Sequence, residues 1–268
     1  FKFKRIIVYF SIGNEKAFMT TRLSGLKTRF FPFNKGIDNP VNPNGHMTHY
    51  LWDDLLQKDS ILDLVENFVT IRDDVEKFYD SKQKKLVDKK SQTLIFPRFH
   101  QLQVINNLRK DILEKGSGEN YLIQHTTGSG KSLSIGWLSH MLASLYQNRD
   151  DVNRIFDSVI VVTDRRVLDK QISNTIKQLQ QVKGVVNTTN DENSEKLKEY
   201  IESGRSIIIS TIQKFPVISE AISNMGDRKY AVIIDEVHSS QSGETSKHLK
   251  KSLSKSDLDN FQEGEDED

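Results

Sequence analysis

Residues 124–132, Gln-His-Thr-Thr-Gly-Ser-Gly-Lys-Ser, place two glycines, a lysine and a serine at the spacing of a phosphate-binding loop. Backbone N–H groups of such a loop, together with the N-terminus of the following helix, cradle a polyphosphate. The Lys131 ammonium reaches the terminal phosphates and the Ser132 hydroxyl ligates Mg²⁺. We therefore predict that a nucleoside triphosphate binds to Thr127, Gly128, Ser129, Gly130, Lys131 and Ser132.

His125 stands where the general form of this loop has its first glycine. An ordinary glycine turn is the alternative interpretation, but Gly128, Gly130, Lys131 and Ser132 are all in place and favour a phosphate loop. We interpret His125 as a packed residue at the end of a strand rather than a catalyst.

A second candidate site is the segment Asp-Glu-Val-His at 235–238, which closes an apolar run. Asp235 is predicted to hold Mg²⁺ through the water shell of the ion, and Glu236 to polarise the water that attacks the γ-phosphate. With Lys131, Glu236 is the predicted catalytic residue. An acidic turn after a buried strand is the alternative, and the phosphate loop upstream disfavours it.

Short apolar runs separated by helical patterns must position these residues. The predicted strands are 121–124, 158–163, 206–210 and 231–235, and the predicted helices are 102–112, 133–145 and 167–179. This alternation predicts an α/β fold with a parallel sheet covered by helices on both faces. Ligands of such sheets bind at the carboxyl ends of the strands, where the loop, Thr163, Thr211 and Asp235 all lie.

The first 58 residues are rich in aromatic and β-forming residues, and strands are expected at 6–10 and 17–21 around a turn at Gly13-Asn14. Ser60 and Asp63 resemble a capping box that opens a helix. The charged segment 72–91 is expected to be a linker or a solvated helix.

Composition narrows the classes of function. The chain has 268 residues, 36% of them hydrophobic, a net charge of +1 and no cysteine. Disulfides and cysteine-ligated zinc are excluded, any nucleic-acid site must be a local patch, and a cytoplasmic location without a membrane partner is expected. Both ends, Phe1 and an acidic run, are expected to lie within a longer protein.

The loop and the Asp-Glu-Val-His segment together resemble the superfamily 2 helicases and translocases, in which a residue other than glycine is usual at the first loop position. Further segments sharpen the resemblance to the motor of the restriction subunit of type I restriction–modification enzymes: 96–101, 120–125, 156–165, 210–215 and 238–241. Residues 19–23, 31–36 and 50–52 are similar to the stretch between the nuclease core and the motor of that subunit.

This resemblance implies ATP- and Mg²⁺-dependent translocation along double-stranded DNA, coupled to DNA cleavage, with methylation and specificity subunits as partners. It implies an α+β remnant of a nuclease domain at 1–72, a linker at 73–92, and a first RecA-like motor domain, incomplete at its carboxyl end, at 93–268. Another superfamily 2 motor, such as a helicase, and a module that binds ATP and DNA without turnover are the alternatives.

The resemblance also assigns roles to single residues. Arg98 and Gln101 would contact adenine, although they also suit a surface pair at a helix start. Residues that would touch DNA phosphates, or else serve as strand-end caps and solvated charges, are Thr163, Arg165, Thr211 and Lys214. His238 would couple hydrolysis to domain movement, or be structural.

The nuclease of that family uses a Glu-x-Lys strand, and this chain has no Glu-x-Lys triplet. Its Asp-x-Lys triplets begin at Asp80, Asp88 and Asp227, in polar stretches. The cutting centre is therefore expected upstream of Phe1, and this chain alone is not expected to cleave DNA.

Overall fold

The computed structural model describes residues 6–80, 85–126, 128–148, 150–163, 166–179, 185–188, 194–224, 226 and 228–235. The chain forms two compact units, one of Phe1–Glu114 with Asn120–Trp137 and one of Lys115–Glu119 with Leu138–Asp268. The division at Trp137 lies inside the expected motor domain at 93–268. The boundaries 1–72, 73–92 and 93–268 stay predictions.

The first unit opens with an antiparallel sheet in the order β1-β2-β3, made of β1 (Tyr9–Ile12), β2 (Ala17–Thr20) and β3 (Phe31–Pro32). The Gly13 N–H donates to the Lys16 carbonyl across 2.9 Å and closes the hairpin between β1 and β2. The expected hairpin is thus confirmed, although β1 begins at Tyr9 rather than at residue 6.

Two buried asparagines fix the chain that follows this sheet. Asn34 Oδ1 accepts the Ala17 N–H at 2.9 Å and the Asn39 amide at 3.1 Å. Asn39 in turn donates to the Glu15 carbonyl at 2.8 Å. Buried amides are tolerated here because each has partners.

An aromatic cluster forms the core beneath these strands. Its rings lie 5.1–6.2 Å apart between centroids, mostly edge to face, and belong to Phe10, Phe33, Tyr50, Phe96 and Phe99. Such contacts add to the hydrophobic burial of the rings. Because Phe99 is the first residue of α2 (Phe99–Lys115), this cluster anchors the start of that helix.

The capping box expected at Ser60 and Asp63 is not formed at the start of helix α1 (Lys58–Asn67). The helix begins two residues before Ser60, and Gln57 makes no side-chain capping bond. Asp63 instead forms a bidentate ion pair with Arg109 of α2, at 2.6 and 3.0 Å. Asp63 stands three residues after Ser60 and so matches the capping pattern in sequence. In the structure, however, its carboxylate binds Arg109 of α2.

Residues 72–80 and 85–91 form strands rather than a solvated helix or an irregular segment. They belong to β4 (Thr70–Asp80) and β5 (Lys85–Ile95), which pair antiparallel from Thr70 with Ile95 to Asp80 with Lys85. Ile71, Val75 and Tyr79 recur every four residues, a spacing that one face of a helix and one face of a strand share. The sequence pattern therefore could not distinguish the two.

The expected strand at 121–124 is absent, and this stretch has no regular secondary structure. Its central residue, Leu122, is 87% exposed. A run of three apolar residues has strand propensity, but that propensity is realised only where side chains pack against neighbouring strands.

The second unit contains the expected parallel sheet, in the order β7-β8-β6-β9. Its strands are β6 (Ser158–Thr163), β7 (Val186–Thr188), β8 (Ile207–Thr211) and β9 (Tyr230–Ile234). Every residue of β6 and β8 is buried, as expected for central strands of a covered sheet.

Four helices complete the structure: α3 (Lys131–Ala143), α4 (Arg166–Gln178), α5 (Ser194–Glu202) and α6 (Phe215–Asn224). Residues of α5 and α6, including Leu197, Ile201 and Ile218, form one buried cluster with Ile160 and Ile208 of the sheet. Among the described residues, no helix has the length and apolar character needed to cross a membrane.

Trp137 provides a test of the packing of the first unit. The residue is 3% exposed, and its Nε1–H donates to the Phe68 carbonyl at 3.0 Å. Trp137→Phe leaves this buried carbonyl without a donor and removes ring volume, so we expect a loss of about 2 kcal/mol in the free energy of unfolding. Urea denaturation followed by circular dichroism measures the loss.

The other tryptophan, Trp52, is 42% exposed and provides the matched control. Trp52→Phe should change the free energy of unfolding by less than about 0.5 kcal/mol. Equal losses in the two variants would contradict the assigned role of the Trp137 bond.

Candidate nucleotide-binding site

The predicted phosphate loop leads directly into α3, whose first residues are Lys131 and Ser132. Gly128 and Gly130 have φ values of +78° and +90°, a backbone conformation that favours glycine. The Leu133 and Ser134 N–H groups donate to the Gly130 carbonyl at 3.0 and 3.2 Å and form the first helical turn. The glycine-bearing loop and the helix start are thus formed as predicted, but the strand expected before the loop is absent. Thr127 lies outside the described residues.

Gly130 is held against Gln101 of α2. A Cβ atom at position 130 would lie 2.6 Å from Gln101 Nε2, so a larger residue there would have to displace the amide end of the Gln101 side chain. The left-handed backbone of Gly130 also favours glycine.

The first turn of α2 supplies the groups that touch the loop. Gln101 is 2% exposed, and its Nε2 donates to the Gly130 and Ser129 carbonyls at 3.0 and 3.4 Å. Its Oε1 accepts the Arg98 N–H at 2.9 Å. The preceding residue, His100, places Nε2 3.1 Å from the Ser129 carbonyl.

Arg98 lies beside this turn, with its guanidinium carbon 5.0 Å from the centre of the Phe31 ring. Stacking of this kind restricts a guanidinium without occupying its donors. The adenine contacts of Arg98 and Gln101 remain predictions, and Phe31 is a neighbour that the sequence did not indicate.

His125 packs against His100 and is half-buried, but it does not end a strand as predicted. Its ring meets the His100 ring edge to face, with centroids 5.3 Å apart. Burial, followed by the nearby His100 and Lys131, lowers the pKa of His125 below its usual value, which favours a neutral imidazole.

In the second unit, three predicted site residues lie at the carboxyl edge of the sheet. Thr163 and Thr211 are paired in register at the ends of β6 and β8. Asp235 follows β9, and its N–H donates to the Val162 carbonyl at 2.9 Å. All three are buried and lie at the carboxyl ends of their strands as predicted, whereas the expected strand before the phosphate loop is not formed. The roles of the three residues toward Mg²⁺ and DNA remain predictions.

For the remaining predicted site residues, the structure gives a position only for Lys214. Lys214 ends a 3₁₀ turn, Ile212–Lys214, immediately after β8. Glu236, His238 and Arg165 lie outside the described residues. Their predicted roles in hydrolysis, coupling and DNA contact are not tested by this structure.

The comparison with known families agrees with this geometry. The model of the SWI2/SNF2 ATPase family matches residues 100–261, which is more than half of the chain. The chain belongs to the SWI2/SNF2 ATPase family. Its mixed α/β fold with a parallel sheet and its loop before α3 are therefore parts of an ATPase domain.

Similar curated proteins are endonuclease subunits of type I restriction enzymes. One from Staphylococcus aureus is 27% identical over 169 residues, covering 62% of this chain and 17% of the relative. One from Staphylococcus saprophyticus is 33% identical over 135 residues, covering 48% and 13%. The HindI subunit of Haemophilus influenzae is 27% identical over 205 residues, covering 72% and 17%. The chain thus spans less than a fifth of the length of these relatives.

A solved structure is also similar: a nuclease-deletion mutant of the Type ISP restriction-modification enzyme LlaGI in complex with a DNA substrate mimic. The match has 16% identity and a TM-score of 0.39, and it covers 52% of this chain and 15% of that chain. No argument is drawn from a similarity of this size.

The loop of this SWI2/SNF2 ATPase fits a bound polyphosphate on its own geometry. Two glycines have left-handed backbones, a Cβ at position 130 would displace the Gln101 amide, and the Ser129 and Gly130 carbonyls accept hydrogen bonds from α2. Sequence reasoning assigned no role to His100, and its only sequence signal was its position beside Gln101 at the start of a helix.

Gly130→Ala tests whether the contact with Gln101 shapes the loop of the ATPase. The added methyl must displace Gln101, and we expect affinity for Mg·ATP to fall by more than about tenfold, an effect worth 1.4 kcal/mol or more. Isothermal titration calorimetry measures the affinity.

Gly116→Ala is the matched control, because Gly116 has a similar φ of +82° but nothing within 4 Å of an added Cβ. It carries the same conformational strain and should leave Mg·ATP affinity unchanged. Full affinity in Gly130→Ala would contradict the assigned contact.

Proposed function

We propose that this chain is part of the motor of a type I restriction subunit and that it takes part in ATP-driven translocation along double-stranded DNA. The observation that carries the proposal is the loop at 128–132, with two left-handed glycines before a helix, inside the region that matches the SWI2/SNF2 ATPase family. The type I relatives support the choice of motor.

The residues have distinct roles in this proposal. Lys131 pairs with the terminal phosphates, Ser132 ligates Mg²⁺, and Asp235 holds the ion through water. When bound, Mg²⁺ neutralises charge on the β- and γ-phosphates. Glu236 orients the attacking water, Arg98 and Gln101 contact adenine, and His238 links hydrolysis to movement.

DNA would be contacted through its phosphates by Thr163, Arg165, Thr211 and Lys214. Contacts of this kind hold DNA of any sequence, as a translocating motor requires. Recognition and methylation would belong to partner subunits. Cleavage would belong to a nuclease centre outside residues 1–268, with residues 1–72 as the remainder of its domain, and the assembly would act in the cytoplasm.

Two other functions compete with this one: a different superfamily 2 motor, and a module that binds ATP and DNA without turnover. The module is the behaviour expected of this chain alone, because phosphoryl transfer needs groups that a second motor domain would supply. Single-turnover hydrolysis of ATP distinguishes a motor from a binding module.

Lys131→Ala tests the nucleotide site. Loss of a charged partner of the phosphates should weaken Mg·ATP binding by about ten- to hundredfold, since bonds to charged groups contribute about 1.5–3 kcal/mol. Calorimetric titration measures the affinity, and circular dichroism confirms that the fold is retained.

Lys110→Ala is the control for the loss of one positive charge. The Lys110 side chain is 79% exposed, and its Nζ lies 4.0 Å from Oε1 of its ion-pair partner Glu114. Its removal should leave Mg·ATP affinity unchanged. Wild-type affinity in Lys131→Ala would show that residues 126–132 are not a nucleotide site.

The double variant Arg165→Ala, Lys214→Ala tests DNA contact. Each lost phosphate contact should lower the slope of log affinity against log salt by about one unit, equally for unrelated DNA sequences. Fluorescence anisotropy with labelled duplexes at several salt concentrations measures the slope, with Lys110→Ala again as the control. An unchanged slope would show that these two side chains do not contact DNA.

A further inference from the structure

Two consecutive side chains of α2 hold two consecutive carbonyls of the phosphate loop. His100 Nε2 lies 3.1 Å from the Ser129 carbonyl oxygen, and Gln101 Nε2 lies 3.0 Å from that of Gly130. A carbonyl oxygen can only accept a hydrogen bond, so His100 must carry a proton on Nε2. His100 and Gln101 are therefore both donors to the loop.

The orientation of a peptide group gives these bonds a consequence. In a trans peptide, the C=O of one residue points away from the N–H of the next. The Ser129 carbonyl belongs to the same peptide group as the Gly130 N–H, and the Gly130 carbonyl to that of the Lys131 N–H. Fixing the Ser129 carbonyl toward α2 therefore turns the Gly130 N–H away from α2, toward the side on which the predicted phosphates would bind.

We propose that His100 is a positioning residue of the phosphate loop, which orients the Gly130 N–H toward the nucleotide by holding the Ser129 carbonyl. The inference rests on the proposed function in one respect, that this loop binds ATP. From the sequence, Gln101 is assigned a contact with adenine, but His100 is assigned no role.

His125 keeps His100 in place. The two rings meet at 89° with centroids 5.3 Å apart, an edge-to-face arrangement that restricts rotation of the His100 ring. His125 Nδ1 is buried and has no hydrogen-bond partner among the described residues, so His125 contacts its neighbour by packing. Its lowered pKa keeps the pair free of like-charge repulsion at neutral pH.

Two substitutions separate the hydrogen bond from the bulk of the side chain. His100→Leu keeps apolar volume but removes the donor, and we expect Mg·ATP affinity to fall about three- to tenfold, the effect of one neutral hydrogen bond. His100→Gln replaces the imidazole Nε2–H with an amide donor at a similar reach, and it should restore affinity to within about twofold of wild type. Calorimetric titration with Mg·ATP and with inorganic tripolyphosphate measures both variants.

The tripolyphosphate titration restricts the comparison to the phosphate loop, because this probe has no base. Equal losses for ATP and tripolyphosphate, with rescue by glutamine, support the inference. Wild-type affinity in His100→Leu would overturn it, as would a loss that glutamine does not restore. If leucine lowers the unfolding midpoint, His100→Ala replaces it in the same comparison and must show the same loss and the same contrast with glutamine.

The variant Lys131→Ala distinguishes a failure of the proposed function from a failure of the inference about His100. If the wild-type chain and Lys131→Ala bind Mg·ATP equally, the loop is not a nucleotide site and both conclusions fail. If Lys131→Ala loses affinity while His100→Leu retains it, the nucleotide site stands and only the role of His100 is wrong.

Discussion

The hydrogen bonds of the buried Gln101 carboxamide are the interaction on which the position of the phosphate loop depends. Its Nε2 bonds to the Gly130 carbonyl, and its Oε1 bonds to the Arg98 N–H. One side chain thus joins the start of α2 to the phosphate loop, and a Cβ at position 130 would have to displace it. A buried amide with both ends engaged is a rigid link, because releasing either end exposes an unsatisfied polar group to an apolar interior.

The position of the Gln101 side chain depends on the position of helix α2. Phe99 packs against Phe33 and Tyr50, and Phe96 packs against Phe10 and Phe33. The aromatic core of the small amino-terminal sheet therefore fixes the first turn of α2, and this turn fixes the loop. The amino-terminal residues thus help to position the candidate nucleotide site, although none of them is predicted to touch the nucleotide.

The parallel sheet was predictable from the apolar runs that form β6, β8 and β9, because central strands buried on both faces are apolar over most of their length. The edge strand β7, Val-Asn-Thr, contains no such run and was not predicted. The loop was predictable because its chemistry needs fixed residue types at fixed spacing. The β4–β5 hairpin was not, since the spacing of Ile71, Val75 and Tyr79 also suits a helix. His100 was not predictable either, because its role depends on a carbonyl 29 residues away in sequence.

The β4–β5 hairpin has a consequence for how the molecule opens. Each strand has 11 residues, and one face carries the exposed apolar side chains Ile71, Val75, Tyr79 and Leu86. A two-stranded ribbon that buries so little is marginal by itself, whereas β6 and β8 lie in a fully covered core. The free energy of local opening differs greatly between such regions. The backbone amides of the ribbon are therefore expected to exchange with solvent much faster than those of the central sheet. The long ribbon and the core sheet therefore belong to different cooperative units of one chain.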